Sequence, residues 1–328
     1  MEFVFFGTSA GKPTSERNVS AMGMQLAQER GWYLFDCGEG TQHRIQQSHF
    51  SIGKIDAIFI THLHGDHVYG LPGLLGSRKM DNVTRPLTIY GPAGIRRMLE
   101  TIIEITQLHL DFPFTIVEFG PYERLHFPKF EIETVPMHHS IECYGFFVHE
   151  YTISNRLDEE RLRADGLEPS PLYGRLKRGE NLVINGKTYI ATEYMKAPIP
   201  GRSVIIAGDN ADPEIMGERL DDLDLLIHEC TYAQSDYDRL PKKVLHTTAK
   251  MLALSAQRHR VKNLIATHIS ARYNRSAQTT APLKRELDKY YEGHWCIAED
   301  FSHYRLERGG VCKKLADPKS QISNRPEL

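Results

Sequence analysis

Tryptophan and cysteine are both scarce, with 2 and 5 residues in a chain of 328. The cysteines (Cys37, Cys143, Cys230, Cys296 and Cys312) are odd in number and no two are close neighbours. That excludes a disulfide framework and a zinc ribbon, and reads as reduced thiols. No apolar run approaches the length that spans a bilayer, and the opening MEFVFFGTSA lacks the basic and long apolar regions of a secretion signal. These absences predict a soluble, cytoplasmic protein without a membrane partner. Nor does one charge dominate: 40 Lys and Arg against 42 Asp and Glu leave a net −2. A protein that grips nucleic acid over its whole surface is usually basic, so a polyanion here must be held by local patches or metal ions. No solenoid-type repeat is present.

Histidine, by contrast, is abundant at 16 residues, and part of that excess is concentrated. In FITHLHGDHVYGLPG (59–73) an apolar run leads straight into His62, His64, Asp66 and His67. A lone histidine in such a place is usually structural. Three imidazoles and a carboxylate within six positions form the donor set of a zinc-like metal.

Short β-branched and aromatic runs ending at glycine turns (EFVFFGTS, GWYLFDCGEG, IDAIFITH, LTIYGP) alternate with helical patterns such as GIRRMLETIIEITQL (94–108). The second half repeats the theme with RSVIIAGDN, LDLLIHEC, TTAKMLALSAQRH and VKNLIATHIS. Functional-looking residues at strand ends, with helices between, predict an α/β protein built as an αββα sandwich with a site along one edge. Residues 154–200 mix charge, Pro and Gly, and read as an inserted arm or a long surface excursion. The hydrolase domain is expected over 1–307, and the polar segment 308–328 is expected to be a disordered tail.

The four donors of 62–67 cannot all reach one small ion, because His62 and His64 precede the Gly65 turn and Asp66 and His67 follow it. Two neighbouring ions sharing the motif are the economical solution. Further candidate donors stand at other strand ends: His138 and His139 in TVPMHHSIECYGF, Asp209 in IIAGDNAD, and His268 in LIATHISARY. Two divalent ions at such a site would activate a water for hydrolysis.

THLHGDH, taken with FDCGEGTQ (35–42), IIAGDN and THISARY, resembles the metallo-β-lactamase superfamily. FFGTSAGKPTSERN (5–18), GDHVYGLPGLL (65–75), HSIECYGF (139–146), IHECTY (227–232) and HTTAKMLA (246–253) narrow the resemblance to the short form of the tRNase Z family, over about residues 1–305. The resemblance implies a metallo-β-lactamase sandwich with a protruding arm. It implies two zinc ions per subunit, other divalent ions being chemically possible. One would be held by His62, His64 and His139, the other by Asp66, His67 and His268, with Asp209 bridging. It also implies that Asp66 doubles as general base and that Glu229 and His246 deliver a proton to the leaving oxygen. Asp36 would orient a ligand histidine.

The implied reaction removes the 3′ trailer from precursor tRNA after the discriminator nucleotide, leaving a tRNA 3′-hydroxyl, and the implied assembly is a homodimer. Arg17 and Asn18 in PTSERN and Arg272 in SARY are the expected RNA contacts near the cut. Arg175, Lys177 and Arg178 in the 154–200 segment are the expected contacts of the arm. Two departures from the family pattern stand out: Ser170 in the arm where Gly is common, and Asn210 where Thr often follows the Asp. The rival readings are a generic dinuclear metal phosphodiesterase or acyl hydrolase, and a catalytically inactive RNA-binding relative, whose metal donors would be missing.

Overall fold

The first strand, Glu2–Gly7, shows how the layers are built. Phe3 and Phe5 pack with Phe130, Phe146 and Ile227, whereas Val4 and Phe6 pack with Ile45, Leu71 and Leu75 on the opposite face. Period-two alternation therefore gives this strand two buried faces. The computed structural model describes residues 1–273 and 280–316.

An eight-stranded sheet runs in the order Cys312–Leu315, His303–Leu306, Glu2–Gly7, Ala21–Gln25, Trp32–Phe35, Ile55–Phe59, Leu87–Gly91, Phe114–Glu118. A seven-stranded sheet faces it, in the order His294–Ile297, Asn263–Thr267, Leu225–Glu229, Ser203–Ile206, Tyr144–Glu150, Phe130–Pro136, Arg124–His126. Helices Leu71–Met80 and Ile95–Ile105 cover the outer face of the first sheet, through Leu71, Leu74, Leu75, Ile95 and Leu99. Helices Ala249–Arg258 and Ala281–Tyr290 cover the second, through Leu252, Ala253, Ala256, Leu283 and Leu287. The result is the four-layer αββα sandwich.

Strand direction positions the site. Ser203–Ile206, Leu225–Glu229 and Asn263–Thr267 are adjacent and parallel, so their C-terminal ends bring Asp209, Glu229 and His268 to one edge. In the other sheet Trp32–Phe35 and Ile55–Phe59 are also parallel neighbours, and they lead into Asp36 and His62. The Tyr144 amide donates to the Thr61 carbonyl (3.0 Å) and ties the two sheets together at that edge. Open α/β sheets carry their sites at such strand ends.

The helix read over 94–108 closes earlier, at Ile105. Gln107 takes the left-handed conformation (φ 51°), and the amides of Gln107 and Leu108 donate to the carbonyls of Glu104 and Ile103. This is a Schellman stop made without glycine, so composition concealed it.

Residues 154–200 are a small folded unit. Arg156–Leu157 pairs with Met195–Lys196, and Leu182–Ile184 pairs with Lys187–Tyr189 through an Asn185–Gly186 turn with both φ angles positive. The helix Glu159–Ala164 starts at Asp158, whose carboxylate accepts from the Arg161 amide. Leu157, Leu162, Leu167, Tyr173, Leu176, Leu182, Tyr189 and Tyr194 form a core of their own. Gly166 and Gly179 have positive φ there, whereas Ser170 is not among the positive-φ residues. Serine at 170 therefore costs no left-handed backbone.

The tail expectation is corrected in part. Cys312–Leu315 is an edge strand antiparallel to His303–Leu306, with Cys312 buried in the core between the sheets. Arg308 donates to the Pro200 carbonyl and to Glu150. The short VCKKL run could not show by itself that a strand edge was waiting to pair. Residues 317–328 lie outside those described. All five cysteines are unpaired, and among the described residues no helix is long and apolar enough to cross a membrane.

Candidate metal centre

The stretch Thr61–Val68 leaves its strand and turns at Gly65 into the short helix Gly65–Val68. That turn separates the donors as the spacing predicted. His62 Nε2 and His139 Nε2 each lie 3.1 Å from His64 Nδ1. Asp66 Oδ2 lies 3.5 Å from His67 Nε2 and 3.4 Å from His268 Nε2. Asp209 stands between the groups. Its Oδ2 is 3.8 Å from both His62 Nε2 and His139 Nε2, while its Oδ1 is 3.5 Å from His67 Nε2 and 3.3 Å from His268 Nε2. One carboxylate thus offers one oxygen to each triad. The Asp209 turn needs Gly208, where a Cβ would fall 2.6 Å from the Tyr144 carbonyl oxygen.

The donor set fits a pair of divalent cations. Imidazole nitrogens 3.1 Å apart need a proton or a cation between them. His67 Nε2 is buried with no hydrogen-bond partner, and its other nitrogen, Nδ1, lies 2.7 Å from Asp36 Oδ2. That carboxylate fixes Nδ1 as the donor and leaves the Nε2 lone pair facing the cluster. Asp36 also accepts from the Thr61 amide (2.8 Å), and Thr61 Oγ1 lies 2.9 Å from His62 Nδ1. Asp36 and His268 both hold left-handed backbone, with φ of 55° and 54°, the kind of local strain found at functional sites. Burial pushes His62 well below the ordinary histidine value. His67 is also disfavoured as a cation by burial, but the Asp36 and Asp209 carboxylates outweigh that and raise it. Either a proton or a metal cation answers that field.

Beside the cluster, His246 Nδ1 lies 3.0 Å and 3.1 Å from the two oxygens of Glu229. Burial alone would lower the pKa of His246, yet Glu229, Asp209 and Asp66 raise it to about 9. Glu229 is buried, and it accepts hydrogen bonds from the Asn210 amide (2.6 Å) and from Thr231 Oγ1. The Asn210 side chain accepts from the His138 amide (3.1 Å), donates to the Asp212 carbonyl (2.9 Å) and lies 3.1 Å from His228 Nε2. The side-chain amide at 210 therefore ties the segments of His138 and His228 to its own loop beside Asp209. His138 itself is exposed and stands outside the cluster that His139 joins.

Two expected RNA contacts have other work. Arg17 is 8% exposed, and its guanidinium donates to Thr8 Oγ1 (2.7 Å) and the Ala298 carbonyl (2.6 Å). Asn18 donates from its backbone to Asp300 and from its side chain to the Glu39 carbonyl (2.8 Å). These bonds staple the 8–18 loop to the strand ends and keep the Arg17 guanidinium out of solvent. The fixed loop in turn donates the Gly11 amide to Asp66 Oδ2 at 2.8 Å. We expect Arg17→Ala to lower stability by about 2 kcal/mol through lost charge-assisted hydrogen bonds. A urea titration measures this, and an unchanged midpoint would remove the staple role. Arg272 is exposed, with its guanidinium 4.9 Å from the Tyr232 ring centroid. Arg175 and Arg178 are exposed and share Glu180, and Lys177 is exposed beside them.

A cavity of about 440 Å³ opens over the cluster, lined by His64, Asp66, His139, Asp209, His246 and His268 among others. Lys242 and Lys243 also line it. Sequence reasoning passed over both, since a lysine pair in a charged loop carries no signal of its own.

With this geometry in view, the similarities to known proteins are specific. A family model described as "Anti-Pycsar protein Apyc1" matches residues 1–162. The crystal structure of human tRNase Z, short form, is similar with a TM-score of 0.66 and 26% identity, covering 94% of this chain and 100% of that one. Ribonuclease Z of Bacillus cereus is 40% identical over 311 residues, 94% of this chain and 100% of that protein. Ribonuclease Z of Marinobacter nauticus is 37% identical over 314 residues, 94% of this chain and 97% of its own length. With 37–40% identity over 94% of its length, and with the metallo-β-lactamase sandwich and its His/Asp clusters already in place, the chain belongs to the ribonuclease Z family of endoribonucleases.

Proposed function

We propose that the protein removes the 3′ trailer from precursor tRNA in the cytoplasm, cutting after the discriminator nucleotide with the help of two zinc ions. The observation that carries this reading is the Asp209 carboxylate, set with one oxygen toward each histidine group and next to the Glu229–His246 pair. Membership of the ribonuclease Z family supports the substrate class.

His62, His64 and His139 would hold one cation, and Asp66, His67 and His268 the other, with Asp209 shared. Such cations, when bound, polarise a water and offset negative charge on phosphoryl oxygens. The remaining work belongs to side chains of this chain. Asp66, oriented by the Gly11 amide, accepts the proton of the attacking water. Glu229 holds Nδ1 of His246, and the imidazolium donates its Nε2 proton to the ribose 3′-oxygen as the P–O3′ bond breaks. The buried Glu229 carboxylate against Nδ1 favours the charged imidazolium, the form that carries the proton to be given. The products are a tRNA 3′-hydroxyl and a trailer 5′-phosphate.

In this reading the 154–200 unit is the tRNA-binding arm, with Arg175, Lys177 and Arg178 meeting backbone phosphates, and Arg272 meets a phosphate near the cut. The working assembly is a homodimer in which one subunit's arm presents tRNA to the other's site.

The test is incubation of the metal-loaded protein with a precursor tRNA bearing a 3′ trailer, with both product ends mapped at nucleotide resolution. A single cut after the discriminator, lost with a chelator and restored by zinc, is the expected result. Hydrolysis of a small phosphodiester with the precursor left intact would move the assignment to a general phosphodiesterase.

A further inference from the structure

The cavity over the metal cluster has two kinds of wall. One carries the histidines with Asp66 and Asp209, whose carboxylates are committed to them. The other is the loop that leads into His246, and it carries Lys242 and Lys243. The loop is held in place rather than loose. Tyr237 Oη donates to the Val244 carbonyl (2.7 Å), and the Leu245 carbonyl lies 3.1 Å from His139 Nδ1. Lys243 donates one proton to the Tyr237 carbonyl (2.7 Å) and lies 4.8 Å from the centroid of that ring. Its ammonium keeps two further donors. Lys242 has neither a hydrogen bond nor an ion pair among the described residues, and both lysines are exposed. Two ammonium groups without a carboxylate partner, carried by a held loop at the wall of a phosphodiester-cleaving site, are placed for an anion that arrives with the substrate.

We infer that Lys242 and Lys243 form a subsite for the RNA phosphodiester immediately 5′ of the scissile one. The side follows from the chain. His246 protonates the 3′-oxygen of the nucleotide that leaves with the tRNA, and the lysines, three and four residues before His246, line the same wall of the cavity, so they border that nucleotide and its upstream phosphate. This rests on the reading above. The subsite adds substrate affinity and sets which linkage reaches the metals, while a small diester without an upstream phosphate gains nothing from it.

The experiment compares the full-length, metal-loaded protein with its Lys242→Ala/Lys243→Ala variant. Substrates are precursor tRNA, the same RNA with one uncharged methylphosphonate linkage just 5′ of the cut, and bis(p-nitrophenyl) phosphate. We expect the variant to raise KM for precursor tRNA about tenfold and to flatten the logarithmic salt dependence by about 0.7, the value for one single-strand phosphate contact. The methylphosphonate should cost the wild type about tenfold and the variant almost nothing, because one contact cannot be lost twice. Hydrolysis of the small diester should stay the same. Equal losses to methylphosphonate in both proteins, or a matching loss on the small diester, overturn the subsite. If the variant does not fold, the wild type alone decides, by tolerating or refusing the neutral linkage 5′ of the cut relative to one placed 3′ of it. Failure of the wild type to cut unmodified precursor tRNA sinks the parent reading instead, before the lysines are compared.

Discussion

Asp209→Ala should reduce cleavage of precursor tRNA by about 10³-fold or more, because it removes the one side chain that serves both donor groups, and metal-centred charge stabilisation is worth several kcal/mol. The geometry makes this sharper than for any single histidine. Loss of His139 leaves His62 and His64 facing one another, whereas loss of Asp209 strips an oxygen from each triad, leaving His62 Nε2 and His139 Nε2 without their carboxylate and His67 Nε2 and His268 Nε2 with Asp66 alone. Metal content should fall with activity, and direct metal analysis of the purified variant checks it. A variant that keeps its full metal complement and its turnover would show that the carboxylate does not bridge. Asp36→Ala is the milder control. It leaves all seven donors in place and frees the His67 ring together with Thr61, which lies against His62 Nδ1, for an expected loss of about 10–100-fold in metal affinity.

The second large effect concerns the arm. Replacing residues 158–194 by Asn-Gly would leave Leu157 and Met195 joined by a two-residue turn, the connection their antiparallel pairing accepts. The main body should fold unaided, because the arm's core of Leu162, Tyr173, Leu176 and Tyr189 is separate from the three clusters of the sandwich. We expect KM for precursor tRNA to rise about 100-fold, some 2.7 kcal/mol of lost contacts, with hydrolysis of a small phosphodiester retained. Equal loss on both substrates would mean that the arm supports the fold or the site rather than the RNA. Steady-state kinetics on the two substrates separates the outcomes.

These expectations rest unevenly on sequence. The metal loop is legible because its donors are local. Four of them sit within six residues, at the end of an apolar strand and around a glycine, so spacing alone forces them into two groups. His139, Asp209 and His268 are each isolated in sequence. The resemblance to a known family linked them, and the strand order then brought them to one edge. Arg17 shows the opposite case. In the polar stretch PTSERN it is expected to face RNA, yet Thr8 and the Ala298 carbonyl, far apart in the chain, close over it. Lys242 and Lys243 were invisible for the same reason, since only the docking of their loop against His139 puts them at the cavity.

What the sequence by itself determined is therefore whatever short-range chemistry controls: the two-faced strands, the donor-rich loop, and the absence of a disulfide or zinc-ribbon framework. Tertiary structure alone decided the position of Asp209 with one oxygen toward each histidine group, the burial of Arg17, the pairing of Cys312–Leu315 as a sheet edge, and the cation pair over the site. The reason is range. Periodicity and spacing act over a few residues and survive in any fold. Burial, bridging and edge pairing depend on partners tens to hundreds of positions away, which exist only once the two sheets have closed on each other.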